Sequence, residues 1–108
     1  MAETVKTLTD ENWEAEVIRS DKPVLVDFWA EWCQPCQDVG RSVEAVAHQF
    51  EGRLRVGKMD VAMNEDVPVR YNVSTLPTLL LIKGGLVAEQ RTGKVPREKI
   101  VELVQGHV

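Results

Sequence analysis

The chain has 108 residues, which is the length of one domain with one hydrophobic core. Its 44% hydrophobic and 28% charged residues are typical of a soluble globular protein. A formal net charge of −4 argues against the strongly basic surface that nucleic acids and anionic membranes attract, so we expect neither as a partner.

The N-terminal part of the chain predicts a short strand, a helix and a buried strand. Residues 1–20 have no basic start followed by an apolar stretch, so we expect no signal peptide and a cytoplasmic protein. Residues 5–7 predict an edge strand, and Thr9-Asp10 offers a cap for a helix over 11–19. Residues 23–29 are apolar on both alternating faces, which predicts a central strand covered on both sides.

The rest of the chain alternates helices and strands, with glycine and proline at the boundaries. Gly52 is placed to end a helix, and Pro68 must lie in the first turn of a short helix or kink it. Lys83-Gly84-Gly85 has the composition of a hairpin turn. The pattern predicts helices over 36–50 and 64–71 and from Pro96 onward, and strands over 54–60, 78–82 and 86–92.

The order of these elements predicts the fold class. It reads β-α-β-α-β-α-β-β-α, in which the early β-α-β units favour parallel pairing and the final hairpin requires antiparallel pairing. We therefore expect an α/β protein with a central mixed five-stranded sheet flanked by four helices. A single domain is expected to span residues 1–108.

The strongest chemical signal is the pair Cys33 and Cys36, at the junction of a predicted strand and helix. Pro35 presets the helical φ, so Cys33 is expected at the helix N-terminus, where unpaired N–H groups and the helix dipole stabilise a thiolate. Cys36, one turn into the helix, is expected to be more buried and to react second. In a cytosolic chain such a pair is more often catalytic or metal-binding than structural.

Two other interpretations of the cysteine pair stay open at this point. A zinc site needs four ligands, and only His48 and His107 remain, far from the pair and without a second paired motif. A purely structural disulfide over two intervening residues constrains the unfolded chain very little.

Asp27 interrupts the apolar strand over residues 23–29 and is expected to be buried whichever face it occupies. A buried carboxyl has a raised pKa and can exchange a proton near neutral pH, which suits the reaction of a buried thiol. The alternative is a structural carboxylate paired with Lys58 on the neighbouring strand. Trp29 and Trp32 flank the motif, and simple packing is the more common explanation for each of them.

Taken together, these residues resemble the thioredoxin family over essentially the whole chain. The resemblance lies in a set of motifs that share that family's order and spacing. They are Asp27-Phe28-Trp29-Ala30-Glu31-Trp32-Cys33, Pro35-Cys36, Lys58, Leu76-Pro77-Thr78, Gly84 and Gly93.

The resemblance implies a protein disulfide reductase that cycles between a dithiol and a Cys33–Cys36 disulfide through a mixed disulfide with its client. Asp27 would be the buried proton carrier, linked to Lys58. Pro77 would be cis, although an X-Pro bond is cis in only about 5–6% of cases. The backbone of Leu76 would pair with the client. The remaining residues implied at the client surface are Trp32, Val61, Thr75 and Gly93.

The resemblance also implies the partners. Electrons would come from a separate thioredoxin reductase, linked to NADPH or to ferredoxin, with no metal and no other cofactor in this chain. Clients would be disulfide-containing proteins, and a monomer is expected. An oxidase or isomerase, and a binding module that works without its cysteines, are the competing interpretations.

Several positions depart from the family pattern. Gln34 stands where glycine is usual, and Gln37 where lysine is usual. Asp38 adds an acid, Arg41 replaces a proline, and Thr75 replaces a common glycine. Losing one exposed positive charge near the sulfur is expected to raise the pKa of Cys33 by at most about half a unit in water, which leaves it reactive.

Overall fold

The predicted order of elements is the observed one in a computed structural model that describes residues 4–108. Residues 1–3, with the start of the predicted domain, lie outside the described residues. The strands are β1 (Lys6–Thr7), β2 (Val24–Trp29), β3 (Arg55–Asp60), β4 (Thr78–Lys83) and β5 (Leu86–Thr92). The helices are a short π-helix (Glu14–Ile18), α1 (Gln34–Gln49), α2 (Asp66–Arg70) and α3 (Arg97–Gln105).

The most apolar strand lies at the centre of the sheet, as predicted. The strand order is β1-β3-β2-β4-β5, with β1 and β2 parallel to β3, and β4 antiparallel to both β2 and β5. The β4–β5 hairpin turns through Gly84 and Gly85, both at positive φ, the geometry that a two-residue type I′ turn requires. The α/β fold with a mixed five-stranded sheet and four helices is thus confirmed.

Each face of the sheet is covered by its own helices. On one face, Val26 and Phe28 of β2 pack with Trp13 beside the π-helix. On the other face, Leu25 packs with apolar residues of α1 and α3. Because side chains alternate along a strand, Asp27 lies on the same face as Leu25, in the layer that α1 covers.

The two residues predicted as one helix cap, Thr9 and Asp10, have different partners: Thr9 bonds to Asn12 in the turn before the π-helix, and Asp10 bonds to another helix. Thr9 and Asn12 exchange hydrogen bonds, with the backbone N–H of each donating to the other's side chain at 2.8–3.0 Å, as in a capping box. The helix that follows is shorter than predicted, because its regular part is a π-helix in which the N–H of Arg19 donates to the carbonyl of Glu14.

Asp10 instead caps α2, far along the chain. Its carboxylate accepts hydrogen bonds from the backbone N–H groups of Glu65, Asp66 and Val67 at 2.9–3.1 Å. Pro68 lies in the first turn of this helix, one of the two placements expected for it. Among the described residues, no helix is long and apolar enough to span a membrane.

Candidate active site

The cysteine pair lies at the start of α1, just after the loop that follows β2. Cys33 is the N-cap residue of α1 with an extended backbone, and Pro35 lies in the first turn. Cys33 and Cys36 form a disulfide, with their Cα atoms 5.4 Å apart. Cys33 is 6% exposed and Cys36 3% exposed, so both residues are buried.

An apolar cluster surrounds the disulfide. Ala30 is fully buried against the two cysteines, and its carbonyl accepts a hydrogen bond from the N–H of Cys33 at 3.1 Å. Trp29, Val61 and Leu76 pack on the same cluster. The structure therefore brings Val61 and Leu76 to the cysteines from two other loops. The packing role of Ala30 was not foreseen, because a small residue after a strand gives no distinctive signal.

Asp27 is 1% exposed, and its Oδ1 atom has no hydrogen-bond partner. Burial raises the pKa of this carboxyl to about 7, while the positive charge of Lys58 acts in the opposite direction. Lys58 is the register partner of Asp27 on β3, yet its Nζ lies over the ring of Trp29, 5.3 Å from the centroid. Within residues 4–108 the two side chains form no ion pair, so the alternative of a paired structural carboxylate is not observed.

Pro77 is buried at the start of β4, and the Leu76–Pro77 bond is cis, the isomer that the resemblance implied. Its carbonyl accepts a hydrogen bond from the N–H of Gly93 at 2.8 Å. Gly93 has φ +84°, a conformation that strongly favours glycine. The loop after β5 is thereby attached to the proline beside the cysteine cluster.

The predicted surface residues are accessible to different degrees. Trp32 is 75% exposed and Thr75 is exposed, whereas Val61, Leu76 and Gly93 are partly buried. Met63 is also highly exposed, at 79%, two residues beyond Val61. Sequence reasoning missed it, although an apolar residue in a polar loop was a usable signal.

Except for Thr75, the departures from the family pattern lie on the exposed side of α1. Gln34 and Gln37 are exposed beside the cysteines. Asp38 forms ion pairs with Arg41 and, at 3.3 Å, with Lys94 of the loop after β5. The hydrogen bond from Lys94 and its charge are the main causes of a lowered pKa for Asp38. The added acid thus links α1 to that loop.

The histidines considered for a zinc site are not near the cysteines. His48 lies in the last turn of α1, whereas the cysteines lie at its start. The Nε2 atom of His107 lies 3.1 Å from a carboxylate oxygen of Glu89 on β5. Within the described part of the chain, no group of three or more histidine, cysteine or acidic side chains is arranged to hold a metal ion.

Comparison with known proteins gives a consistent result. The family model described as Thioredoxin matches residues 4–106. Thioredoxin C-2 of Corynebacterium nephridii is 38% identical over 108 residues and covers 100% of both chains. The thioredoxin of Chlorobaculum thiosulfatiphilum is 40% identical over 100 residues, 93% of each chain. The thioredoxin of Pseudomonas aeruginosa is 35% identical over 108 residues, 100% of each chain.

Proposed function

The chain belongs to the thioredoxin family and is a protein disulfide reductase, and we propose a role for each residue of its active site. The observation that carries the proposal is the Cys33–Cys36 disulfide at the start of α1, in the layer of the sheet that also holds the buried carboxyl of Asp27.

Cys33 is the nucleophile. As the N-cap residue of α1 it lies beside unpaired backbone N–H groups and the positive end of the helix dipole, which favour the thiolate. The thiolate attacks a client disulfide, so that a bond forms between Cys33 and one client sulfur while the client S–S bond breaks. The second client sulfur leaves as a thiolate and takes a proton from solvent.

Cys36 resolves the mixed disulfide with the help of Asp27. With a pKa of about 7, the Asp27 carboxyl is ionised in a large fraction of molecules at neutral pH and can accept the thiol proton of Cys36, directly or through a water. The Cys36 thiolate then attacks the sulfur of Cys33, the Cys33–client bond breaks, and the client sulfur leaves as a thiolate that takes up a proton from solvent, so that two electrons have passed to the client. Lys58 supports this step, because its charge favours the ionised carboxylate.

The client surface consists of Trp32, Val61, Thr75, Leu76 and Gly93, with the Leu76 backbone pairing with an extended client segment. Pro35 and Pro77 hold the cysteine pair and this surface in place.

The remaining proposals concern the setting in which the protein works. Electrons come from a separate reductase, linked to NADPH or to ferredoxin, and this chain carries no cofactor of its own. We propose a cytoplasmic monomer in which residues 1–108 act as one domain. A reducing compartment suits the function, since the dithiol must be regenerated after each client.

An insulin-reduction assay with dithiothreitol tests the assignment of the two cysteines. Cys33→Ser is expected to reduce insulin no faster than dithiothreitol alone. Cys36→Ser is expected to accumulate a mixed disulfide with its client, detectable by mass under non-reducing conditions. Wild-type activity in Cys33→Ser, or clean turnover by Cys36→Ser without a trapped intermediate, would contradict the mechanism. Lys83→Gln, a charge change at the other end of β4, is the matched control and keeps full activity.

A further inference from the structure

The loop just before β4 presents unpaired backbone groups beside the disulfide. Leu76 of this loop packs against the cluster formed by Ala30 and the two cysteines. Within residues 4–108, the backbone N–H and C=O groups of residues 74–76 form one hydrogen bond only, at the carbonyl of Thr75. The backbone of Leu76 is therefore available to an extended segment of another protein, which pairs through main-chain N–H and C=O groups.

Two hydrogen bonds attach this loop to the sheet. The N–H of Gly93 donates to the carbonyl of Pro77 at 2.8 Å. The hydroxyl of Thr78 donates to the carbonyl of Thr75 at 2.5 Å, which closes a turn around Leu76 and Pro77. Thr78 is the first residue of β4, and β4 pairs with both β2 and β5. Its hydroxyl therefore fixes the Thr75 carbonyl relative to a strand that is itself held on both sides.

The hydroxyl of Thr78 lies in an apolar layer of the protein. Thr78 is 1% exposed, and side-chain alternation along β4 places it on the same face as Leu80 and Ile82. Leu80 and Ile82 belong to the buried cluster that contains Trp13. A valine has nearly the same shape as threonine and would fill this place without burying a polar group. Packing alone thus does not require a hydroxyl here, whereas the hydrogen bond to the Thr75 carbonyl does.

We propose that Thr78 is a positioning residue for the client, an inference that rests on the proposed reductase function and deepens it. Its hydroxyl sets the direction of the Thr75 carbonyl and so holds the backbone of Leu76 in the conformation that pairs with an extended client segment. Thr78 is buried and acts through the loop rather than by touching the client. A client with peptide groups beside its cysteine therefore depends on Thr78, whereas a disulfide without peptide groups does not.

Two disulfides that differ in their peptide groups test the proposal. One is a short neutral peptide whose single cysteine is joined to mercaptoethanol, and the other is hydroxyethyl disulfide, which has no peptide group. Reduced protein is mixed with an excess of each, and samples are quenched with iodoacetamide. Mass spectrometry then measures the fraction of protein in which the two thiols have become the Cys33–Cys36 disulfide while the added disulfide has become two thiols.

Three variants separate the hydroxyl from the packing of the side chain. Thr78→Val removes the hydroxyl and is expected to react with the peptide roughly threefold to tenfold more slowly, the factor that one hydrogen bond provides. Its rate with hydroxyethyl disulfide is expected to stay within about twofold of the wild type. Thr78→Ser keeps the hydroxyl and should match the wild type with both disulfides. Ile82→Val removes a methyl group from the same face of β4 and should change neither rate.

The stability of each variant is measured separately by urea unfolding. Ile82→Val is the matched control for a general loss of stability, because it weakens the same buried layer without touching the loop. If Thr78→Val does not fold, Thr78→Ala takes its place, since alanine also lacks the hydroxyl. The same selective loss of rate with the peptide is expected of it.

The outcomes distinguish this inference from the reductase function. If Thr78→Val slows both disulfides equally, the hydroxyl acts on the cysteines rather than on the client-pairing backbone, and the proposal is overturned. A Thr78→Val variant as fast as the wild type with the peptide, or a Thr78→Ser variant as slow as Thr78→Val, overturns it as well. Each of these results leaves the reductase function intact. Failure of the wild type to reduce either disulfide overturns the reductase function, and this inference with it.

Discussion

The two ends of the central sheet offer opposite kinds of site. At the reactive end, where β2 and β3 finish and α1 begins, lie the disulfide, Pro77 and the proposed client surface. At the far end, where β2 and β3 begin, lies a cavity of about 470 Å³. The disulfide thus lies at the opposite end of the sheet from this cavity.

The two ends differ in whether their charged side chains are paired, exposed or buried. Among the charges that line the far cavity, Lys6 forms an ion pair with Glu16, and the other charged residues there are exposed. At the reactive end, Asp27 is buried with one oxygen unpaired. A polar group kept in an unfavourable environment marks function better than cavity size does, particularly when the partner is another protein that needs an accessible surface rather than a deep pocket.

The sharpest test of this contrast is the pH dependence of stability. Because the pKa of Asp27 is raised from 3.8 to about 7, the folded state binds a proton more tightly than the unfolded state. The protonated Asp27 carboxyl therefore contributes fully to the stability of the folded state below about pH 4, and this stabilisation is lost as the pH rises through about 7. The rise in pKa corresponds to roughly 4 kcal/mol. Relative to Asp27→Asn, the wild type is expected to lose this amount of unfolding free energy between pH 4 and pH 8.

Denaturant unfolding of the oxidised proteins at several pH values measures the effect. Other titrating groups are common to wild type and variant, so their difference isolates Asp27. Asp21→Asn, an exposed aspartate just before β2 at the far end, serves as the control and should follow the wild-type curve. A difference between wild type and Asp27→Asn that does not change with pH contradicts the raised pKa.

A second comparison uses two apolar side chains with the same exposure at opposite ends. Trp32 beside Cys33 and Leu86 in the far hairpin are each 75% exposed. Replacing either with alanine should change the unfolding free energy by less than about 0.5 kcal/mol. Only Trp32→Ala is expected to lower kcat/KM for insulin, by about tenfold, because a large aromatic side chain at the client surface would contribute binding energy. Equal activity of the two variants removes Trp32 from the client surface.

Much of this contrast could be predicted from the sequence. The apolar run over 23–29 identified the central strand, and Pro35 placed Cys33 at the start of a helix. Asp27 was recognisable because a carboxyl in such a strand has no route to solvent. These features depend on neighbours in the chain, so local patterns were sufficient.

Features that depend on distant contacts could not be predicted in the same way. Asp10 was assigned to the nearest helix, whereas its hydrogen bonds go to α2 about 55 residues later. Register alone placed Lys58 beside Asp27, but its long side chain ends over the ring of Trp29, which register does not predict. The π-helix forms because the N–H of Arg19 donates to the carbonyl five residues earlier, that of Glu14. The spacing of apolar residues does not distinguish this hydrogen bond from the α-helical one to the carbonyl four residues earlier.

A smaller effect is expected at Asp10, which supports the loop that carries Val61. Desolvation alone would raise its pKa, but hydrogen bonds from the N–H groups of Val67, Asp66 and Glu65 lower it overall. The stabilisation that the ionised Asp10 carboxylate provides is therefore present above its unfolded pKa of 3.8. It is lost as the pH falls through the lower pKa of the folded state. Asp10→Ala should cost about 1 kcal/mol at pH 7, and Asp10→Asn less, since the amide oxygen still accepts a hydrogen bond. Urea unfolding at pH 7 and pH 3 measures both, and equal losses in the two variants contradict the capping role.

The smallest effect is expected at the far end, from the Lys6–Glu16 ion pair. The hydrogen bond from Lys6 lowers the pKa of Glu16, so the pair stabilises the fold above pH 4.5 and fades as the pH falls. Lys6 is mostly exposed, and exposed pairs contribute about 0–1 kcal/mol. Glu16→Gln should therefore lose less than about 1 kcal/mol, less still in 1 M salt, with insulin reduction unchanged. Because this pair lines the far cavity, a loss of activity in Glu16→Gln without loss of folding would show that the far end takes part in function after all.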